Sequence, residues 1–244
     1  MRLTRCPVSS ALSVGSDVCL PEDVANHLSR VMRLREGDRC VLFNGDGSDY
    51  SAVITQISKR ELSVRIESAT ALSNESPLPI TLVQGIARGE KMDLILQKAT
   101  ELGVAAIIPV NAERTEVKLD EARAQKRVAH WQSVVASACG QSGRARIPAV
   151  SAPQNLANLD GQLPAQSLRL TLDPQGAHRL ATLPAAPIDG VVIAIGPEGG
   201  WSERDRQVLN GMGFEGLELG PRILRTETAG LAAIAALQAR LGDL

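Results

Sequence analysis

Over the first seventy residues apolar and polar positions alternate with a period of two. Val41-Leu42-Phe43, the turn-forming Asn44-Gly45-Asp46-Gly47, and then Tyr50, Ala52 and Ile54 predict a hairpin. Leu62, Val64 and Ile66 predict a further strand after the polar turn Lys59-Arg60-Glu61. One stretch breaks the rhythm. From Pro21-Glu22-Asp23 to Arg33, the residues Val24, Leu28, Val31 and Met32 fall near helical spacing, which predicts one helix inside a small β domain.

Beyond Leu72-Ser73-Asn74-Glu75-Ser76-Pro77-Leu78-Pro79, which has linker composition, the period changes. Continuously apolar runs at 80–83, 104–110, 168–172 and 191–195 predict buried strands, with a short one at 217–219. Helical patterns occupy 90–102, stopping at Gly103, then 120–139 and 227–241. Buried strands alternating with helices predict an α/β domain on a mostly parallel sheet over 73–244, preceded by a β domain over 1–72. In open sheets of that kind, ligands bind beyond the carboxyl ends of the strands.

Composition narrows the class without naming an activity. The 244 residues are 44% hydrophobic and 22% charged, enough to bury roughly 70 to 75% of the unfolded surface without a disulfide or metal. No run approaches the roughly 20 apolar residues of a membrane span, and the start from Met1 to Arg5 has no signal-peptide core, which predicts a cytoplasmic protein. Cys6, Cys19, Cys40 and Cys139 are far apart and lack zinc spacing, so reduced, partly buried thiols are expected. His27, His130 and His178 show no ligand spacing either, and no metal is expected. Lys plus Arg number 26 against 27 Asp plus Glu. Split at residue 70, the balance is 9 against 9 and then 17 against 18. Neither part carries the basic footprint of a charge-driven nucleic-acid binder.

Three loops follow strands of the second domain: Leu172-Asp173-Pro174, Ile195 to Gly200, and Leu219 to Ala229. The second, Gly196-Pro197-Glu198-Gly199-Gly200, leads to a helix with Ser202 as N-cap and Asp205 three residues later as a capping box. It matches neither G-x-G-x-x-G nor G-x-x-x-x-G-K-[ST], and Glu198 is an acid where a phosphate cradle would avoid one. The third gathers Arg222, Arg225 and Glu227 around Ile223, Leu224 and Thr226, which suits a site with an apolar wall and fixed charges.

In this order, Gly196-Pro197-Glu198-Gly199-Gly200 and Leu219-Gly220-Pro221-Arg222-Ile223-Leu224-Arg225-Thr226-Glu227-Thr228-Ala229 resemble the paired signature of the RsmE family. Its members are SPOUT-superfamily methyltransferases that use S-adenosyl-L-methionine to methylate N3 of a uridine, uridine 1498, in 16S RNA of the small ribosomal subunit. The similarity extends through Arg88-Gly89-Glu90-Lys91-Met92, the run from Gln97 to Val104, and Gln141-Ser142-Gly143-Arg144 with Ile147-Pro148. In the first domain, the segment from His27 to Asp38 is similar to the family's PUA-like module. One position departs: the family commonly places a Glu before the Gln-Ser/Cys-x-Arg segment, and here Gly140 stands there.

The resemblance implies a trefoil-knotted, mostly parallel SPOUT domain after a small PUA-like β-barrel, and a homodimer through the C-terminal domain. The last helix, with Leu231, Ile234, Leu237 and Leu241, fits such a dimer or intramolecular packing equally well. The resemblance also implies cofactor contacts from Leu172, Ile195, Gly196, Gly200, Leu219, Gly220, Ile223 and Leu224, with Ala229 close by. A methyl on a sulfonium needs alignment with the acceptor and no covalent enzyme intermediate. The uracil N3 must lose its proton, so Arg225 is expected to stabilise the anion, and Glu198 or Glu227 to accept the proton or orient Arg225. Arg30, Arg33, Arg35, Arg88, Lys91, Gln141 and Arg144 are expected to contact RNA. The residues alone also fit an RNA-binding assembly factor without catalysis, or a methyltransferase acting on another base or a ribose hydroxyl.

Overall fold

The computed structural model describes residues 3–58, 61–117, 120–183 and 190–244. Met1 and Arg2 at the chain start, and Lys59 and Arg60 of the expected turn, lie outside the described residues. The chain divides into two compact units, Met1–Glu75 with Ala136–Ile147, and Ser76–Val135 with Pro148–Leu244.

The first unit carries β1 (Arg5–Pro7), β2 (Asp17–Cys19), α1 (Glu22–Asn26), β3 (Arg39–Phe43), β4 (Ser48–Ile57) and β5 (Leu62–Ala71). The strands form one sheet in the order β1-β3-β4-β5-β2, antiparallel except for the β1/β3 pair. Alternation does its expected work: Ala52, Ile54, Leu62, Val64 and Ile66 share one core with Leu28, Cys40 and Leu42. The expected helix over 21–33 is only partly realised. After Asn26 the chain widens into a π turn over His27–Val31, with Met32 N–H donating to His27 O at 2.9 Å. The wider turn shifts the phase of the face, so Leu28 stays fully buried while Val31 and Met32 are 67% and 44% exposed. Arg33 then stops the turn at φ +56°.

The second unit continues with β6 (Ile80–Gly85), α2 (Glu90–Glu101), β7 (Val104–Asn111), α3 (Glu121–Ser142), β8 (Ala149–Val150), β9 (Gln154–Asn155), β10 (Leu168–Leu172), β11 (His178–Arg179), β12 (Val191–Ile195), α4 (Glu203–Gly211), β13 (Glu215–Glu218) and α5 (Thr226–Leu241). The last residues of α3, from Ala136, belong to the first unit. The sheet runs β11-β13-β10-β12-β6-β7-β8, with β9 beside β7, and every pairing is parallel. β6 and β12 are buried at every position, as their unbroken apolar character requires. The expected α/β domain on a mostly parallel sheet is therefore present. The short strands β1, β2, β8, β9 and β11 have two or three residues each and leave no periodic signal.

Local chemistry sets the helix ends. Asp120 Oδ1 accepts from Arg123 N–H at 2.8 Å ahead of α3. Ser202 and Asp205 form the expected reciprocal capping box of α4 at 3.0 and 2.9 Å. In α5, Ile234 and Leu237 are fully buried within the unit, and the helix packs on α2 and β12. Intramolecular packing therefore accounts for that part of its apolar stripe. No helix among the described residues is long and apolar enough to cross a membrane.

Candidate active site

Three neighbouring strands, β13, β10 and β12, end side by side. The loops after β10 and β12 and the segment after β13 therefore leave one edge of the sheet together, at the carboxyl ends where open parallel sheets hold ligands. Ile195 is buried, Leu172, Gly196, Gly200, Leu219, Gly220 and Leu224 are half-buried, and Ala229 is buried in the first turns of α5. Ile223 is 89% exposed, an apolar side chain of the kind that marks a contact surface. Gly220 sits at φ +114°, and a Cβ there would meet nothing within 4 Å. At Gly196 a Cβ would lie 3.1 Å from the Gly200 backbone, so the turn closes on itself only without a side chain. Bare backbone, open space and an apolar wall fit a planar base with a short aliphatic chain.

Charged groups stand beside these loops. Glu198 Oε1 accepts from Arg88 N–H at 3.1 Å and lies 3.5 Å from Lys91 Nζ. Partial burial pushes the Glu198 carboxyl up, but that hydrogen bond, one from its own backbone N–H, and Lys91 outweigh it and hold its pKa below the ordinary value. Glu198 is thus kept ionised. Lys91 Nζ also lies 3.9 Å from Glu227 Oε2, a buried oxygen with no hydrogen-bond partner among the described residues. Lys91, expected as an RNA contact, bridges the two carboxylates. Arg225 precedes α5, its carbonyl accepting from Thr228 and Ala229 N–H at 2.9 and 2.7 Å. Its guanidinium is exposed and has no ion-pair partner among the described residues. Arg222 is exposed as well.

The other expected RNA contacts divide. Arg30, Arg33 and Arg35 are exposed on the turn that follows α1, and Gln141 is exposed near the end of α3. Arg88 is exposed and paired with Glu116. Arg144, expected among them, is 5% exposed and paired with Glu75, a contact within the first unit. The same unit explains Gly140: a Cβ there would lie 3.2 Å from Arg5 O, and Arg5 Nη1 donates to Cys139 O at 2.8 Å.

Several residues of the site had no motif to announce them. Arg114 Nη1 donates to Gly199 O at 2.9 Å, and Asp205 accepts from Glu113 N–H, which fastens the 112–115 turn to the glycine loop. Thr171 Oγ1 receives Trp201 Nε1–H at 3.0 Å just past the end of the same loop. A hydrogen bond between distant segments leaves no trace in local spacing. Among the described residues no group of three His, Cys, Asp or Glu side chains is arranged to hold a metal.

Comparison with known proteins agrees with this geometry. Residues 74–238 match the RNA methyltransferase domain family, and residues 20–67 match the RNA methyltransferase PUA domain. The ribosomal RNA small subunit methyltransferase E of Buchnera aphidicola is 31% identical over 243 residues, covering 100% of this chain and 98% of that one. The Bacillus subtilis protein of the same name is 31% identical over 231 residues, 87% of this chain and 86% of that one. Among solved structures, the Neisseria gonorrhoeae ribosomal RNA small subunit methyltransferase E bound to S-adenosyl methionine superposes with a TM-score of 0.91 at 41% identity, covering 100% of both chains. A Legionella pneumophila protein described as a methyltransferase, in complex with SAM, superposes with a TM-score of 0.95 at 37% identity, again over 100% of both. A parallel-sheet methyltransferase domain behind a PUA-type β domain, with relatives similar from end to end, makes this chain a member of the ribosomal RNA small subunit methyltransferase E family.

Proposed function

We propose that this chain transfers the methyl group of S-adenosyl-L-methionine to N3 of one uridine, the one at position 1498 by family resemblance, in 16S ribosomal RNA. The observation that carries the reading is the charge arrangement at the strand-end loops: Lys91 lies between Glu198 and Glu227, and an exposed Arg225, two residues before Glu227, has no ion-pair partner among the described residues. The cofactor supplies an electrophilic methyl on a sulfonium sulfur. The chain's residues then have two tasks, holding the base in line and managing the N3 proton.

Arg225, with no ion pair to break among the described residues, stabilises the uracil anion as the proton leaves. Glu198, already saturated by Arg88 N–H and Lys91, is a weak proton acceptor and serves to fix the loop. Glu227 keeps unused acceptor capacity and takes the proton. Backbone of Leu172, Ile195, Gly196, Gly200, Leu219, Gly220, Ile223 and Leu224, with Ala229, holds the cofactor. A base within folded RNA must be turned out of its stack to reach this edge. Arg30, Arg33, Arg35, Arg88 and Gln141 hold the surrounding RNA. Residues 1–72 act as the RNA-binding β domain and 73–244 as the methyltransferase domain. The cytoplasmic protein works as a homodimer through its C-terminal domain, with the SPOUT knot in its chain path, on RNA within the small subunit.

Mass spectrometry of 16S RNA from cells with and without the gene tests this reading. The expected result is loss of a single N3-methyluridine, restored by the purified protein with S-adenosyl-L-methionine. Loss of a different modified nucleotide, or of a ribose methyl, assigns another target. Binding of small-subunit RNA without cofactor binding in calorimetry makes it an assembly factor.

A further inference from the structure

The strand β6 reads Ile-Thr-Leu-Val-Gln-Gly, and the Gln lies at its buried carboxyl end. Gln84 is 0% exposed. Its Nε2 donates to Gly85 O at 2.9 Å and to Thr226 Oγ1 at 3.0 Å. The Thr226 hydroxyl in turn donates to Gly196 O at 2.6 Å. One amide thus reaches, through one hydroxyl, the first carbonyl of the glycine loop. Its Oε1 is buried and has no hydrogen-bond partner among the described residues. Turning the amide over would set its oxygen against Gly85 O and strand its NH2, so the donors must face this way.

A buried acceptor without a donor destabilises the fold, and an apolar side chain of similar size would remove that cost. Its Nε2 meanwhile satisfies Gly85 O and Thr226 Oγ1, so an apolar replacement exchanges one orphaned acceptor for another and breaks the relay. Its neighbour acts on the same peptide: a Cβ on Gly85 would lie 2.5 Å from Pro197 N, so the 196–197 backbone rests directly on the strand end. On the far side, a Cβ on Gly230 would meet Ile195 Cγ1 at 3.4 Å, so α5 also packs closely against the end of β12. Thr226 is the first residue of α5 and stands between Arg225 and Glu227.

Resting on the function proposed above, we infer that Gln84 is a positioning residue: through Thr226 it locks the Gly196 carbonyl and the first turn of α5 in one register. The loop carrying Glu198 and the helix start carrying Arg225 and Glu227 are held as one body by this relay. Misplacing reacting groups by about 1 Å costs on the order of 100-fold in rate, so loosening the relay acts on turnover more than on RNA binding.

The test uses the full chain with Gln84→Met, Thr226→Val, their double substitution and Thr226→Ser. Gln84→Met is expected to leave Tm within about 5 °C, lower kcat by about 10- to 100-fold and leave KM for RNA within about twofold. Thr226→Val is expected to lose as much, the double no more than either single, and Thr226→Ser to restore turnover to within about threefold. Hydrogen exchange at the Thr228 and Ala229 amides, which needs no activity, is expected to speed up by at least about tenfold in Gln84→Met. An unchanged exchange rate overturns the inference, as does a fully active Gln84→Met, or single losses that multiply in the double. A wild-type protein that transfers no methyl to RNA instead overturns the proposed function, and the exchange measurement still decides the relay.

Discussion

Two arginine-bearing segments of this chain place their guanidinium groups in opposite surroundings. At the end of α3, Arg144 is turned inward onto Glu75, in a unit where Arg5 is likewise 6% exposed and held by Asp49 and by the carbonyls of Cys139, Gly140 and Arg144. Between β13 and α5, Arg222 and Arg225 are exposed, and Arg225 has no ion pair among the described residues. A buried guanidinium held by carboxylate and carbonyl oxygens fixes one arrangement and has few donors left to offer a ligand. An exposed one keeps its donors available, which is what the role proposed for Arg225 toward the uracil anion requires.

Arg225→Ala probes the exposed member of the comparison and carries the largest expected effect. Methyl transfer should fall by about 10²–10³-fold with Tm and cofactor affinity unchanged, as measured by single-turnover methylation and calorimetry. A loss confined to cofactor affinity would make Arg225 a ligand contact and erase the contrast. Arg144→Ala probes the buried member: stability should drop by about 2–4 kcal/mol in denaturant unfolding, because Glu75 loses its partner. Cys139 reports the same event. Burial pushes its thiol pKa up to about 11, so only the exposed Cys19 should react readily with a thiol reagent in the wild type, and Cys139 should join it in the variant.

Arg35→Gln tests an exposed arginine away from the chemistry. It should lower the slope of log affinity against log salt by about 1 while leaving turnover of bound RNA intact. Glu198→Gln should show the smallest effect, about 0.2–1 kcal/mol of stability near neutral pH. The folded carboxyl titrates below its ordinary value. Its contribution is therefore present above that value and lost as pH falls through the folded one, so variant and wild type should converge in acid.

The contrast also shows what the sequence discloses. Periodicity located β4, β5, β6, β12 and α2, because each presents a face of regular spacing to a core. The composition of the 196–200 and 219–229 loops, glycines among charges and exposed apolar residues, pointed to the sheet edge that the structure gathers. Direction was illegible. Val31 and Met32 have helical spacing yet point outward after a π turn, and Arg144 sits in a motif yet points inward. Which way a side chain faces was decided there by partners distant in sequence, Glu75 for Arg144 and Thr226 for Gln84.

The discontinuity of the first unit has a consequence for how the protein is made. Residues 136–147 supply the carbonyls that receive Arg5 and the guanidinium that satisfies Glu75, yet they emerge long after Glu75 itself. At a synthesis rate of about 5–20 residues per second, the nascent β unit waits several seconds with Glu75 unpaired and Arg5 held by Asp49 alone. Folding at the amino end is therefore completed only when the middle of the chain has been translated, and a ribosome stalled before residue 147 would hold an unfinished unit.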